Sequence, residues 1–159
     1  MKKILLLSAI VAFMYACSSN TEKKEPTESG PSANDLMKDD TVHYAPDAKG
    51  IGKFTHVDIN PALNAKMAGD GNGIYDLKCS ACHKLTKERL VGPGWEGVTA
   101  RRKPEWIMNF ATNTDEMIDK DAQAQAMLEL CMVRMPNQSL SDDDARAVYE
   151  FMRKNDGVK

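Results

Sequence analysis

The sequence CSACH at residues 79–83 constrains the chain more than any other feature. Two cysteines three positions apart, followed at once by a histidine, are the attachment signature of a c-type haem. The thiols would form thioether bonds to the two vinyl groups of one porphyrin, and His83 would then lie beneath the iron as its proximal ligand. Because three residues cover most of a helical turn, all three side chains can meet one flat macrocycle. A fold built on this motif has to enclose a large planar cofactor.

Two other interpretations of the motif have less support. A CxxC redox pair typically follows a strand in a βαβ pattern, and no such pattern precedes Cys79. A zinc site needs four ligands, and the chain has no second close Cys/His pair. Because CxxCH occurs only once, the sequence predicts one covalently bound haem c.

The composition fits a small domain with a cofactor at its centre. A chain of 159 residues is long enough for one domain with appendages. Only 6% of its residues are aromatic, beside ten methionines and four cysteines. A core so poor in aromatic side chains is thin for this length, and a haem would supply the missing apolar centre. The formal charge of −2 shows none of the basic excess that nucleic-acid binding favours, so no nucleic-acid partner is expected.

Residues 1–16 predict an export signal. Two lysines precede a mostly apolar run over residues 4–13, which has the length of a signal-peptide core and is too short to span a bilayer. The run ends in MYAC at residues 14–17, which resembles a bacterial lipobox, whose cysteine becomes lipid-modified and is the first mature residue. Met14 and Tyr15 depart from the usual lipobox pattern, so an ordinary signal peptide with an incidental Cys17 stays open. The mature chain would carry a formal charge of −4, from 19 basic and 23 acidic residues.

Three segments follow the predicted signal peptide. Residues 17–47 are rich in polar residues and proline and lack apolar periodicity, which predicts a lipid-anchored disordered linker with a reach of roughly 30 Å. Residues 48–68 predict an extended lead-in, in which the alternation over residues 54–59 indicates one short strand or hairpin arm. Residues 69–159 predict a small all-α domain wrapped around the haem.

Four helices are expected in that domain. Three glycines between residues 69 and 73 weaken any helix there, so the first is expected from about Asp70 into the CxxCH motif. A second is expected to begin at residues 103–104 and a third to span residues 121–132. The last begins with a capping-box-like pattern at Ser141, and its apolar face repeats at Ala145, Val148, Tyr149 and Met152. Long loops join these helices, and such loops are uncommon in compact domains unless they enclose something.

Methionine is expected as the second axial ligand. Met135 precedes a proline, which drives it into an extended conformation, so it should lie in a loop and be able to present its thioether to iron. Met132 is the next candidate, since the other downstream methionines are more typical of core packing. Ligation by two histidines would require His43 or His56, both upstream of the motif. A His/Met pair would raise the reduction potential relative to a His/His pair.

From about Gly69 to Asn155 the chain contains, in order, Gly71 and Tyr75, CxxCH, Val91-Gly92-Pro93, Gly97-Val98, Met135-Pro136 and Leu140-Ser141-Asp142. This ordered pattern resembles a class I monohaem cytochrome c. The resemblance implies a first and a last helix that cross closely, with Gly71 and Tyr75 meeting the last helix. It also implies that the carbonyl of Pro93 accepts a hydrogen bond from His83 and so fixes the ring.

Two features lie outside this pattern. Cys131 is close to Met135 in sequence and has no partner cysteine, so it is expected to be a buried thiol on a helix face. A role in ligand exchange or redox sensing is the more specific alternative. The basic cluster at residues 101–103 would be a docking patch, a partner of the haem propionates or a solvated loop.

The expected function is electron transfer without catalysis. One haem c would be bound by Cys79, Cys82, His83, Pro93 and Met135, with His83 and Met135 on the iron. Cys17 would anchor the protein as a periplasmic lipoprotein in the inner or outer membrane. The resemblance implies a quinol-oxidising complex as donor and a terminal oxidase or nitrogen-oxide reductase as acceptor. An acidic mature surface would meet basic rims of these partners in weak encounters.

Two alternative functions stay open at this point. In a haem-based gas sensor, Met135 would dissociate and CO or NO would bind in its place. In a respiratory enzyme, the chain would be a permanently docked cytochrome subunit.

Overall fold

The computed structural model describes residue 45 and residues 48–159. This part of the chain is helical, and its one β pairing is an isolated bridge between His83 and Arg89. The all-α prediction is therefore confirmed. The predicted signal peptide, Cys17, the predicted linker up to residue 44 and His43 lie outside the described residues. The six helices of residues 48–159 are α1 (Ala65–Lys78), α2 (Val98–Arg101), α3 (Pro104–Thr112), α4 (Thr114–Lys120), α5 (Ala122–Cys131) and α6 (Asp142–Asn155).

The first and last helices form the main packing contact of the domain. A Cβ atom at Gly71 would overlap the backbone carbonyl of Ala147, so only glycine lets the two backbones approach this closely. One turn further on, the ring of Tyr75 packs against that of Phe151 with centroids 5.4 Å apart. The crossing of α1 and α6 confirms the expectation drawn from the cytochrome resemblance.

The predicted start of the first helix is wrong. Helix α1 begins at Ala65 rather than near Asp70, because the side chain of Asn64 caps it by accepting a hydrogen bond from the Met67 amide at 3.0 Å. The three glycines lie inside the helix, where each costs about 1 kcal/mol relative to alanine. Close packing on α6 offsets that cost. Residues 65–68 of the predicted extended lead-in are therefore helical, and the predicted division at residue 69 falls within α1.

The N-terminal segment, residues 48–64, forms no strand, contrary to the prediction of a hairpin arm. The side chain of Asn109 in α3 holds it instead. Its Oδ1 accepts a hydrogen bond from the Phe54 amide, and its Nδ2 donates to the carbonyls of Lys49 and Phe54, each at 2.9 Å. Because a buried side chain occupies backbone groups that strand pairing would use, the segment does not pair as a strand.

Helix α6 holds the other end of the N-terminal segment. The buried carboxylate of Glu150 accepts hydrogen bonds from Arg146 at 2.8 Å and from Arg153 at 2.9 Å. Arg153 also donates to the carbonyls of Asn60 and Pro61. Removing one member of a buried ion network typically costs about 3–5 kcal/mol of folding free energy. Because the segment bonds to Arg153, a member of this network, it is part of the folded domain.

The third and fourth predicted helices are confirmed as α5 and α6. The Asp121 side chain caps α5 by accepting from the amides of Gln123 and Ala124, and Ser141 and Asp144 form the predicted capping box of α6. Helices α2 and α4 were not predicted, because four and seven residues carry little periodic signal. Across residues 48–159, no helix has the length and hydrophobicity that crossing a membrane requires.

Candidate haem site

An open cavity with mainly apolar walls lies in the centre of the domain. A porphyrin is a large, flat and mostly apolar group, and the lining of this cavity suits one. The walls include Cys79, Cys82, His83, Pro93 and Trp95 after α1, Trp106, Ile107 and Phe110 in α3, Met127, Leu128 and Cys131 in α5, Met135 and Leu140 in the following loop, and Val148 and Met152 in α6.

His83 is held from one side of its ring. Its Nδ1 donates a hydrogen bond to the carbonyl of Pro93 at 2.9 Å, since a carbonyl can only accept. This fixes the tautomer and leaves the lone pair on Nε2, the nitrogen that an iron ligand needs. Burial lowers the pKa of His83, although the Pro93 carbonyl opposes that effect, so the ring is neutral at pH 7.

The loop that carries Pro93 packs closely against the imidazole. The amides of Val91 and Gly92 donate to the carbonyl of Cys82 at 3.2 and 2.9 Å. A Cβ atom at Gly92 would overlap the His83 ring, so the close approach requires glycine. The hydroxyl of Tyr75 donates to the His83 carbonyl at 2.8 Å. Side chain and backbone of the histidine are therefore both fixed.

The geometry around the thiols disfavours the two alternatives to haem attachment. Burial raises the pKa of Cys79 to about 11, against a small opposing effect of Lys78. A redox pair depends on a cysteine whose pKa is lowered, so that it is a thiolate near neutral pH. Within residues 48–159, no three His, Cys, Asp or Glu side chains are grouped in a way that could hold a metal ion. A zinc site has no support either.

A second part of the cavity wall contains residues of α5 and of the loop after it. Met135 lies in this loop and borders the cavity. Met132 does not: it ends α5 in a left-handed backbone conformation, and its side chain is 85% exposed. The exposed His56 pairs with Asp58 at 2.8 Å and is not part of the cavity wall. Of Met135, Met132 and His56, only Met135 borders the cavity. Two of the methionines that are more typical of core packing, Met127 and Met152, also line it, both from within helices.

Cys131 and several polar side chains also border the cavity. Cys131 is half-buried, and burial raises its pKa against an opposing effect of Arg89. Arg101 and Arg102 come from the predicted basic cluster, and the guanidinium of Arg102 lies 3.9 Å from the ring centroid of Trp106. Arg102 is buried, which contradicts the interpretation of the whole cluster as a solvated loop. As a cation in the cavity wall, Arg102 would have the charge to pair with a haem propionate.

Trp95 was not among the predicted site residues. Its ring packs against His83 with centroids 5.6 Å apart and against Tyr75 at 5.0 Å, and its amide donates to the carbonyl of Lys84 at 2.8 Å. A tryptophan directly after the Gly92-Pro93-Gly94 turn is the signal that points to it, because a bulky aromatic in a loop needs a core to enter.

Comparison with known proteins shows to which protein family the chain belongs. The family model described as cytochrome c matches residues 68–156. The chain belongs to the cytochrome c family. Members of this family are generally electron carriers with a covalently bound haem c. The buried thiol, the neutral imidazole held by Pro93 and the apolar cavity fit that group. Cys79 and Cys82 would hold it covalently and His83 would ligate its iron.

Solved structures support the assignment. Cytochrome c from Rhodothermus marinus is 31% identical with a TM-score of 0.64, and the match covers 66% of this chain and 90% of that one. An engineered form of that cytochrome, Rma TDE, is 30% identical with a TM-score of 0.63. A structure of Rma TDE bound to the carbene intermediate 1-ethoxy-1-oxopropan-2-ylidene has a TM-score of 0.60 at 30% identity; both of these matches also cover 66% of this chain and 90% of the other. No curated protein sequence matches the chain.

Proposed function

We propose that this cytochrome carries single electrons in the bacterial periplasm through one haem c ligated by His83 and Met135. The observation that supports this most is the pairing of two walls of one apolar cavity, with His83 fixed by Pro93 on one and Met135 in a loop on the other. When bound, haem supplies a one-electron Fe(III)/Fe(II) couple. The protein itself contributes two neutral ligands, an apolar lining and exclusion of water.

A methionine ligand favours the reduced state of such a couple, because a neutral thioether stabilises ferrous over ferric iron. The charged side chains of the cavity wall are Arg101, Arg102 and Arg134, and Arg134 pairs with Asp115 and Asp119. On the strength of the thioether we place this protein among carriers of relatively high potential.

Carbon monoxide distinguishes a carrier from a gas sensor. If Met135 ligates the iron, CO has to displace it, and mixing the ferrous holoprotein with CO at neutral pH should give only a slow or partial spectral change. A rapid, stoichiometric CO spectrum would contradict the carrier proposal and favour the sensor. Measuring the same mixture at several pH values controls for partial unfolding of the loop.

We further propose that a lipid on Cys17 anchors the protein to a membrane. The support is the sequence alone: a short basic start, an apolar run and a lipobox-like MYAC. Replacing Cys17 with serine should release the mature protein from washed membranes into the periplasmic fraction. Replacing Ser18 with alanine provides the matched control and should leave the protein bound. Persistent membrane association of Cys17→Ser would remove the lipoprotein proposal.

Its proposed partners are a quinol-oxidising complex as donor and a terminal oxidase or nitrogen-oxide reductase as acceptor. A carrier should not co-purify with either in fixed proportion, whereas a permanently docked subunit would.

The distribution of charge along the chain determines which part of it could attract a charged partner. Residues 48–159 contain sixteen of the 21 basic and sixteen of the 23 acidic residues, so the acidic excess of the mature chain belongs to residues 17–47. The haem domain itself is formally neutral before its propionates are counted.

A further inference from the structure

The C-terminal end of α6 carries an acidic side chain, Asp156, as its cap residue. The last carbonyls of a helix form the negative end of its dipole, so a carboxylate at this place is locally destabilising. The helix does not need Asp156 in order to end. Gly157 follows at a φ of 90°, and the Val158 amide closes the helix by donating to the Arg153 carbonyl at 3.0 Å. A local cost of this kind is typical of a residue that serves another part of the fold.

The carboxylate of Asp156 binds three groups at the start of α2. Its Oδ1 accepts a hydrogen bond from the Gly97 amide at 2.6 Å, and its Oδ2 accepts from the amide and the hydroxyl of Thr99 at 2.8 and 2.6 Å. Gly97 is the N-cap residue of α2, and its φ of 72° favours glycine, which has no side chain to accept from these amides. Asp156 therefore supplies, from the end of α6, the side-chain cap that α2 lacks.

Helix α2 in turn leads to two arginines in the wall of the cavity. It has four residues, of which Arg101 is the last, and Arg102 follows directly as its C-cap residue. Both arginines border the cavity. The Arg102 amide donates to the Val98 carbonyl at 3.0 Å, so the end of this single turn is bonded to the start that Asp156 holds. A displacement of that start would move both guanidinium groups.

The end of α6 is itself fixed to the part of the wall that holds His83. The Nδ2 of Asn155, the last residue of α6, donates to the carbonyl of Leu85 at 3.0 Å, two residues after His83. One helix end thus bonds both to the segment after the histidine and to the segment before the arginines. It links the position of the arginines to that of the histidine.

We propose that Asp156 is a positioning residue of the haem site: by capping α2 from the end of α6, it holds Arg101 and Arg102 where they balance the charge of the haem propionates. The inference rests on the proposed carrier function and adds a residue that sets its reduction potential. Propionates are anionic, and unbalanced negative charge near iron stabilises the ferric state. Without the cap, the arginines move away and the potential falls.

The sign of the effect separates this role from that of the Asp156 charge itself. Removing a carboxylate would by itself raise the potential, because ferric iron loses a stabilising negative charge. In Asp156→Ala, redox titration of the holoprotein against a reference couple should instead show an equilibrium constant for reduction that is about threefold lower. Asp143→Ala, which removes an exposed acid in the first turn of the same helix, is the matched control and should not lower it. An unchanged or raised potential in Asp156→Ala would overturn the proposal.

A double-variant cycle tests whether Asp156 acts through the arginines. In a background of Arg101→Gln with Arg102→Gln, no guanidinium is left to displace, so Asp156→Ala should no longer lower the potential. An equal fall in both backgrounds would mean that Asp156 acts on the site by another route, and would contradict the proposal. A merely structural role of Asp156 predicts the same loss of stability in both backgrounds and no dependence of the potential on the arginines.

Thr99 provides a milder test that changes no charge and that stays decisive if the cycle variants do not fold. Thr99→Val removes the hydroxyl bond to Asp156 and leaves the amide bonds, so the equilibrium constant for reduction should fall by roughly 1.5-fold. Thr99→Ser retains the hydroxyl and should keep the wild-type value. If the valine and serine variants have the same potential, the cap does not set it.

Nitrogen-15 NMR of the ferrous holoprotein observes the arginines directly. The Nε–H resonances of Arg101 and Arg102 should shift in Asp156→Ala and stay in place in Asp143→Ala; unshifted resonances in Asp156→Ala would refute the positioning role. Titration of the wild-type protein separates the two levels of inference. If it does not exchange one electron reversibly, the carrier function itself fails. If it does and the variants match it, only the role of Asp156 fails.

Discussion

The two walls of the haem cavity are held in different ways. On the His83 wall, residues 83–95, backbone hydrogen bonds join Val91 and Gly92 to Cys82 and Trp95 to Lys84. On the Met135 wall, residues 132–141, no backbone amide after Met132 donates to a backbone carbonyl of the described residues. Side chains hold this wall from outside, such as Lys78, which donates to the Gln138 carbonyl at 2.9 Å.

Because of this difference, the two proposed axial ligands depend on the fold to different degrees. The histidine is fixed by its own loop, whereas the methionine is presented by a segment with few internal bonds. Segments with few backbone bonds open at lower free energy than the rest of a domain. We expect the His83 wall to be required for the site to form, and the Met135 wall to tune a site that already exists.

The largest effect is expected from a change in the His83 wall. In Gly92→Ala the added Cβ would overlap the imidazole and displace it from the Pro93 carbonyl. Because a displaced ring cannot reach the iron correctly, we expect the yield of holoprotein to fall about tenfold or more. Haem content per chain, measured as the pyridine complex, checks this. Gly73→Ala is the matched control, since nothing lies within 4 Å of its Cβ. Normal haem content in Gly92→Ala would mean that the wall is not rigid.

A smaller, more local effect is expected from the methionine. Met135→Ala should leave the haem attached and the helical content unchanged, since the loop contributes little to folding. It should abolish the weak sulfur–iron band at the red edge of the ferric spectrum and lower the reduction potential, because the thioether stabilises ferrous iron. Met132→Ala is the control and should retain the band. If the band survives in Met135→Ala and disappears in Met132→Ala, the assigned ligand is wrong.

Whether a feature is held by local or by long-range contacts also decides how well the sequence could predict it. The His83 wall is encoded within fifteen residues, so its motif, its glycine and its proline could be identified directly. The capping box of α6 is equally local. The N-terminal segment depends on buried Asn109 and Glu150, which lie 55 and 86 residues from the backbone amides of Phe54 and Asn64 that they accept from. No local pattern carries such contacts, so a strand was predicted where side chains of two helices hold the chain. The cytochrome pattern correctly predicted that Gly71 meets the last helix. The prediction that glycines weaken the helix at this point was wrong, because the packing partner of Gly71, Ala147, is also far away in the sequence.

The smallest effect tests how loosely the Met135 wall is held. Lys78→Met removes the bond to the Gln138 carbonyl, which is solvent-exposed and worth on the order of 0.5 kcal/mol. That loss should fall on the loop alone, because Lys78 is the last residue of α1 and its backbone remains helical. In urea, the sulfur–iron band should then disappear at a lower concentration, while the far-UV circular dichroism midpoint stays unchanged. Lys66→Met, which removes an exposed pair with Asp70 in the same helix, should move neither transition. If both transitions shift together in Lys78→Met, the two walls unfold as one unit, and the methionine is held as firmly as the histidine.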